Sequence, residues 1–217
     1  MTTYTICKSF KWQGTITDKV VSVCKMFGLT IDRLKERHLV HKCRVKIEAG
    51  DIVYLTGPSG AGKSVLLGEM EKSICPSNRI SLADIDLPDN KTLIDCMGGN
   101  VINGLRLLSI AGLSDCFCIL NQPSNLSAGE KYRFRLAMAL AADKEFVLAD
   151  EFCCELDRIT AAVISSRLHT FAKRTGTTFI LASSHQDIIS DLEPDILVIN
   201  ELSGPAEVIY RLMRRQK

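Results

Sequence analysis

The chain has no long uninterrupted apolar run, and nothing in it approaches the roughly 20 apolar residues that a bilayer-spanning helix requires. Membrane insertion is therefore not expected. It has no strong charge of one sign: 27 Lys and Arg stand against 25 Asp and Glu, for a net charge of +2. The chain as a whole is thus no polyelectrolyte binder, and this balance leaves direct nucleic-acid binding an open question. Basic residues gather only in the closing "RLMRRQK", which reads as a solvated terminus. The opening "MTTYTICKSFKW" alternates polar and apolar residues and lacks a signal peptide's apolar core, so a cytoplasmic location is expected. Nine cysteines are present, yet no C-x-x-C pair exists, which argues against zinc. They read mainly as small buried apolar residues in a reducing compartment, with a lesser redox reading for the adjacent Cys153 and Cys154. Repeats and low-complexity segments are absent. At 217 residues, 46% hydrophobic and 24% charged, one domain with a well-buried core is expected.

What is there begins with "GPSGAGKSVLL", Gly57 to Leu67, which contains G-x-x-x-x-G-K-[ST]. It follows "DIVYLTG", a β-rich, nearly continuous apolar stretch of the kind buried on both faces of a parallel sheet. Across Gly57, Pro58, Ser59, Gly60, Ala61 and Gly62, glycines let backbone N–H groups turn inward around phosphate oxygens. Lys63 adds a point charge for the β- and γ-phosphates, and Ser64 a hydroxyl for Mg²⁺. "SVLLGEMEKSI" has apolar residues at helical spacing, so a helix N-terminus faces the phosphates. A nucleotide with Mg²⁺ is the expected ligand.

A second buried strand, "EFVLADE", ends in two acids. An aspartate at such a strand tip holds Mg²⁺ through water, which assigns Asp150 to the metal. A carboxylate directly after it can orient and deprotonate an attacking water, which assigns Glu151 as general base.

Between these strands lies "NLSAGEKYRFRLAMALA". "LSAGE", Leu126 to Glu130, resembles the signature motif of the ABC-type (ATP-binding cassette) ATPases and precedes an amphipathic helix. "DEFCCELD" resembles that family's D-loop region and ends in Leu156-Asp157. "ILASSH" delivers His185 to the position of the family's switch histidine. With the phosphate loop and the acidic strand, five motifs covering about residues 50–200 carry the resemblance. It implies an α/β P-loop NTPase fold with an ABC-type ATPase core sheet, flanking helices and a reduced helical subdomain. It implies ATP and Mg²⁺ as cofactors, and hydrolysis with Glu151 and His185 in the catalytic roles. Ser127 and Gly129 at a helix N-terminus make a second anion site. In the family, the signature of one protomer closes over the ATP of the other, so an ATP-dependent homodimer is implied, with Ser127, Gly129 and Asp157 contributing to nucleotide binding.

Departures narrow the resemblance. Gly57 to Leu126 spans 69 positions, shorter than in transport ATPases, and no Q-loop glutamine is recognisable, Gln122 lying too close to the signature. Asp84 or Asp86 is a candidate to approach the metal instead. Phe152 replaces the usual proline, Glu130 a glutamine, and Val65 a threonine outside the phosphate contacts. Together with "MFGL", "LRLLSIAGLSD", "LADEFCCELDR" and "LEPDILVI", this is similar to a group of soluble ABC-type ATPases, some fused to a predicted acetyltransferase-like domain. The implied function is ATP-driven dimerisation acting on a separate protein partner, acetyltransferase-like or DNA-processing. The alternative is the ATP-binding subunit of a membrane transporter. "LSAGE" together with Glu151 and His185 argues against a kinase or GTPase.

The pattern predicts one domain over 1–217, with an N-terminal strand/helix extension at about 1–42 and a reduced helical signature subdomain at about 90–142. Strands are expected at 3–12, on either side of Ala49-Gly50-Asp51, and at 79–85, 145–150, 177–182 and 195–199. Helices are expected after Thr17 or Asp18, at 63–74, around Gly98-Gly99, after the signature, at 158–174 and from Gln186. Phe27 and Trp12 are candidates to stack on the base, Phe27 standing nearer the family's position, although each also reads as a core residue. Stacking alone selects weakly between ATP and GTP. His38 and His41 read as solvated.

Overall fold

The computed structural model describes residues 2–36, 38–202 and 204–211. The basic stretch beyond Arg211 lies outside the described residues. In chain order the strands are β1 (Thr2–Lys11), β2 (His38–Ile47), β3 (Ile52–Thr56), β4 (Arg79–Ser81), β5 (Phe146–Ala149), β6 (Thr178–Ala182), β7 (Ile196–Ile199) and β8 (Glu207–Tyr210). The helices are α1 (Asp18–Met26), α2 (Ile31–Glu36), α3 (Lys63–Lys72), α4 (Leu93–Cys96), α5 (Val101–Ile110), α6 (Cys116–Ile119), α7 (Ala128–Ala141), α8 (Arg158–Thr175) and α9 (Ile189–Leu192). Six strands form one sheet in the order β4-β5-β6-β3-β7-β8, parallel except for the β7–β8 pair. β1 and β2 pair antiparallel as a separate ribbon.

Alternation along each central strand divides two cores. Successive side chains of a strand point to opposite faces. Ile52 and Tyr54 of β3, Phe179 and Leu181 of β6, and Val147 and Ala149 of β5 therefore join the core beneath α5, α7 and α8. Val53, Leu55, Ile180 and Leu148 join the core formed with α3 and the β1–β2 ribbon. Burial on both faces explains why these segments are continuously apolar. The consequence for function is directional. Parallel strands place their C-terminal ends, and the loops after them, along one edge of the sheet.

Helix starts follow local chemistry. Thr17 caps α1, its hydroxyl accepting from Val20 N, and Asp157 caps α8, accepting from Thr160 N at 3.0 Å. Ser127 and Glu130 form a reciprocal capping box at α7. The helix expected around Gly98-Gly99 is two, α4 and α5. Both glycines have positive φ (34° and 73°), and Asn100 caps a fresh helix by accepting from Asn103 N. The strand expected at 79–85 stops at Ser81 and passes into a single 3-10 turn, Leu82–Asp84. β8 and α2 were not foreseen: each is short and largely exposed, so burial leaves little pattern in either.

Phe179 is fully buried in the central strand β6 and meets Phe171 of α8 edge-on, ring centroids 6.3 Å apart. Phe179→Ala removes this anchor of the α8 layer and should cost about 3–5 kcal/mol of stability, measured by urea unfolding of the full chain.

Candidate functional site

A cavity of about 560 Å³ opens at the C-terminal edge of the sheet. Three loops line it. The turn from β3 into α3 supplies Ser59, Gly60, Gly62, Lys63, Ser64 and Val65. The end of β5 supplies Asp150, Glu151 and Cys154, and the end of β6 supplies Ser183, Ser184 and His185. Residues widely separated in the chain thus meet because β3, β5 and β6 run parallel in adjacent register. Val65 contributes to this wall although its replacement of threonine reads as lying outside the phosphate contacts.

The loop backbone is fixed by close packing. Gly57 has φ 137°, and a Cβ there would stand 2.0 Å from the carbonyl oxygen of Asn200, just past β7. Asn200 N donates to Thr56 O at 2.8 Å, and its buried side-chain amide donates to Ala61 O. Gly62 has φ 87°, and a Cβ there would run into the His41 ring. His41 is a correction to the sequence reading: it is 8% exposed, because β2 lays its imidazole against the loop. Pro58 is exposed and Ala61 buried, so neither lines the cavity. Lys63 Nζ donates to Gly57 O at 2.9 Å and Pro58 O at 3.0 Å, which holds the ammonium over the loop mouth. Ser64 follows it in the first turn of α3, with its side chain in the exposed wall.

The opposite wall is a strained turn. Glu151 and Cys153 are non-glycine residues at φ 49° and 59°. Such residues cost about 1–3 kcal/mol each and persist where their surroundings over-determine them. The surroundings here are specific. Glu151 N donates to Asp150 Oδ1 at 3.0 Å, and Phe152 N donates to Ala182 O at 2.8 Å, with the Phe152 ring fully buried. A proline at 152 would lack that donor, which accounts for the phenylalanine. Cys153 N donates to the Tyr132 hydroxyl of α7 at 3.0 Å. Burial pushes the Cys153 thiol up to about 12, which makes it an inert structural thiol rather than a redox group. Cys154 is half-buried, and its sulfur lies 3.3 Å from Ser183 Oγ. Elsewhere Cys7, Cys75 and Cys116 are exposed, contrary to the expectation that the cysteines fill the core.

His185 stands at the cavity rim, its Nδ1 3.6 Å from Asp187 Oδ1. Its backbone is tied from below: the buried Tyr54 hydroxyl donates to His185 O, and His185 N donates to Ser183 Oγ at 3.2 Å. Burial pushes the Tyr54 phenol upward, so it remains a donor.

The remaining candidates lie outside this cavity. Ser127 is exposed at the start of α7, where its hydroxyl donates to Glu130 Oε2 at 2.7 Å. The Ser127 hydrogen bonds hold the Glu130 carboxyl below its usual range. A Cβ on Gly129 would stand 3.3 Å from Leu156 Cδ2, so signature and D-loop regions touch within one chain. Asp157 caps α8, and the Thr160 hydrogen bonds lower its pKa. Phe27 is 77% exposed at the end of α1 and does not line the cavity, which corrects its reading as a core residue. Trp12 is half-buried and lies over Gly14 in its own turn. Asp84 and Asp86 are exposed and also absent from the cavity lining. The sequence reading missed Asn200, Tyr54 and His41. The first two act through backbone oxygens, and no motif spacing marks them.

No family model matches the chain. It is similar to the lipoprotein-releasing system ATP-binding protein LolD of Ehrlichia ruminantium (strain Gardel), 28% identical with 82% of this chain and 92% of that protein covered. It is 27% identical to the methionine import ATP-binding protein MetN of Streptococcus agalactiae serotype Ia, with 76% of this chain covered. It is 30% identical to the ATP-binding protein Uup of Caulobacter vibrioides, with 90% of this chain covered. The chain spans 57% of the length of that MetN relative and 36% of Uup. Among solved structures, a dimeric ATP-binding cassette in a post-hydrolysis state with ADP and phosphate has the same fold, at TM-score 0.64 and 18% identity, covering 81% of this chain and 92% of that one. The fold and the site together define a P-loop NTPase of the α/β class. By fold and by sequence similarity the chain resembles the cassettes of ABC-type ATPases.

Gly57→Ala should shift the loop off Asn200, since backbone meets backbone there and neither can yield. Nucleotide affinity should fall at least tenfold, read by titration with a fluorescent ATP analogue, while far-UV circular dichroism stays unchanged.

Proposed function

We propose that this chain binds and hydrolyses ATP at a site completed by a second protomer, and that the resulting dimerisation acts on a separate protein partner. The observation that carries this reading is the convergence of Lys63, Ser64, Asp150, Glu151 and His185 on one cavity, while Ser127, Gly129 and Asp157 lie outside it. Loop N–H groups and the α3 N-terminus bind the phosphates, and Lys63 adds charge at the β- and γ-oxygens. Hard oxygen donors suit Mg²⁺, and Ser64 Oγ with the Asp150 carboxylate would hold it. That ion, when bound, neutralises charge on the phosphate oxygens. Glu151 accepts the proton of the attacking water, and His185 orients that water and the γ-phosphate. The exposed aromatic at Phe27 is assigned to base stacking, a role it can fill only from outside the cavity described.

The short segment from Gly57 to Leu126, together with a reduced helical signature subdomain at about 90–142, supports action as a stand-alone cassette. Its partner would be a separate polypeptide of the acetyltransferase-like or DNA-processing kind. A second reading, the ATP-binding subunit of a membrane transporter, is supported by the coverage of nearly the whole LolD relative. Among the described residues no helix is long and apolar enough to cross a membrane, so in that reading the spanning part lies outside them.

Two variants test the two-protomer site. Ser127→Arg places a bulky cation at the α7 N-terminus: ATP binding should be nearly unchanged and turnover lost. Retained turnover would exclude the composite site. Glu151→Gln keeps shape and a hydrogen bond but cannot accept the proton. Turnover should fall by about 10²–10⁴-fold, and with ATP and Mg²⁺ the variant should elute as a dimer in size-exclusion chromatography with light scattering. A variant that binds ATP yet stays monomeric would refute assembly through the nucleotide.

A further inference from the structure

Away from the nucleotide cavity, α5 and α8 pack side by side and leave a small concavity of about 190 Å³ between them. Arg106, Arg167 and Arg174 surround it, and Ile110 and Phe171 form its apolar wall. All three arginines are exposed. Charge is segregated here in a way the whole chain does not show. Neither α5 nor α8 contains an acidic residue, whereas they carry Arg106, Arg158, Arg167, Lys173 and Arg174. Arg158 and Lys173 are engaged by Asp187 and Asp195. Among the described residues no carboxylate pairs with the other three, and the residues outside that set carry no acidic side chain. Like charges converging without counter-ions oppose folding slightly, and nothing in the nucleotide chemistry uses them.

Helical spacing extends the patch in both directions. Ile102, Arg106 and Ile110 follow at i, i+4 and i+8 on one face of α5, and Ile102 is 80% exposed. Val163, Arg167, Thr170 and Arg174 follow in the same way on α8, with Val163 41% exposed. Arg167 and Arg174 are separated by about 10.5 Å along the helix, at 1.5 Å per residue. The α5 face thus alternates apolar and guanidinium groups, and the α8 face adds two arginines beside it. Arginine's planar fork pairs bidentately with carboxylates. Nucleic acid would instead need a longer cationic track along several phosphates, and the patch ends where Arg158 and Lys173 are already neutralised.

We propose that the α5–α8 groove is a docking surface for an acidic segment of a protein partner, with carboxylates on Arg106, Arg167 and Arg174 and an apolar side chain against Ile110 and Phe171. The surface lies outside the nucleotide cavity, and the proposal does not rest on ATP hydrolysis.

The test uses the full chain and three fluorescein-labelled probes in fluorescence anisotropy: an octapeptide alternating glutamate with leucine, an octaglutamate, and a 20-nucleotide single-stranded DNA. The alternating peptide should bind more tightly than octaglutamate, and its affinity should fall with added salt. Arg106→Glu with Arg174→Glu should weaken it at least tenfold. Arg106→Gln with Arg174→Gln provides the milder version, and both double variants should keep the parent's thermal midpoint and ATP turnover. Ile102→Ser should weaken the alternating peptide several-fold and leave octaglutamate unaffected. Failure of the peptide to bind, or equal binding by parent and double variants, would overturn the proposal. So would DNA binding tighter than the peptide and lost in the same variants, which would reassign the groove to nucleic acid.

Discussion

The close approach of the Gly57 backbone to the carbonyl of Asn200 governs the geometry of the site. β3 and β7 are neighbours, and the chain leaving β3 must pass over the end of β7 before it can coil into α3. A side chain at 57 would collide with backbone, so the loop can lie flat only on hydrogen. Once it lies there, the Asn200 amide secures Ala61, the His41 ring fills the space beside Gly62, and Lys63 is drawn back over the loop. Three features of the loop therefore accompany one contact between the ends of two neighbouring strands. His41 belongs to the β1–β2 ribbon, so the ribbon takes part in shaping the loop as well as in covering one face of the sheet.

The facing wall is built by a different means. Two left-handed residues in three positions coil the chain after β5 into successive turns, Cys154 N to Glu151 O and Leu156 N to Cys153 O. The conformation is costly by itself. It is held by the Phe152 anchor to β6 and by the Tyr132 hydroxyl from α7. Fixing Glu151 at a strand end in this way limits the directions its carboxylate can take, which suits the general-base role proposed for it. Strain at 151 and rigidity around it belong to the same design.

Much of this was legible in the residues. The glycine-rich loop, the acidic strand end and the signature each combine unusual residue types at fixed spacing within a short stretch, and local spacing survives in one dimension. The strand boundaries at β3, β5, β6 and β7 were similarly plain, because burial on both faces writes continuous apolar runs. Contacts made across the fold left no such trace. Nothing in "KERHLVHK" marks His41 as buried, because its burial depends on where β2 crosses the loop. Asn200 follows an ordinary apolar strand, and its role comes from the neighbour that β3 happens to have. Phe27 looks apolar in a helix end, yet it stands exposed among the described residues.

The same contacts bear on why a second protomer would matter. Within one chain the α7 N-terminus touches the D-loop region through Gly129 and Leu156, and Tyr132, one turn further along α7, holds Cys153. The signature is thus rigidly connected to the turn that carries Glu151, although it does not line the same cavity. In the two-protomer reading, an anion from the other chain settling at Ser127 would bear on α7 directly. Any displacement of α7 would reach the turn at 151–153 through the Cys153–Tyr132 hydrogen bond and the core that α7 shares with Phe152 and Cys153. Occupation of one nucleotide site would then be sensed at the catalytic carboxylate of the other without any long pathway. The strained φ at Glu151 makes those anchors matter, because a costly conformation persists only while its surroundings hold it.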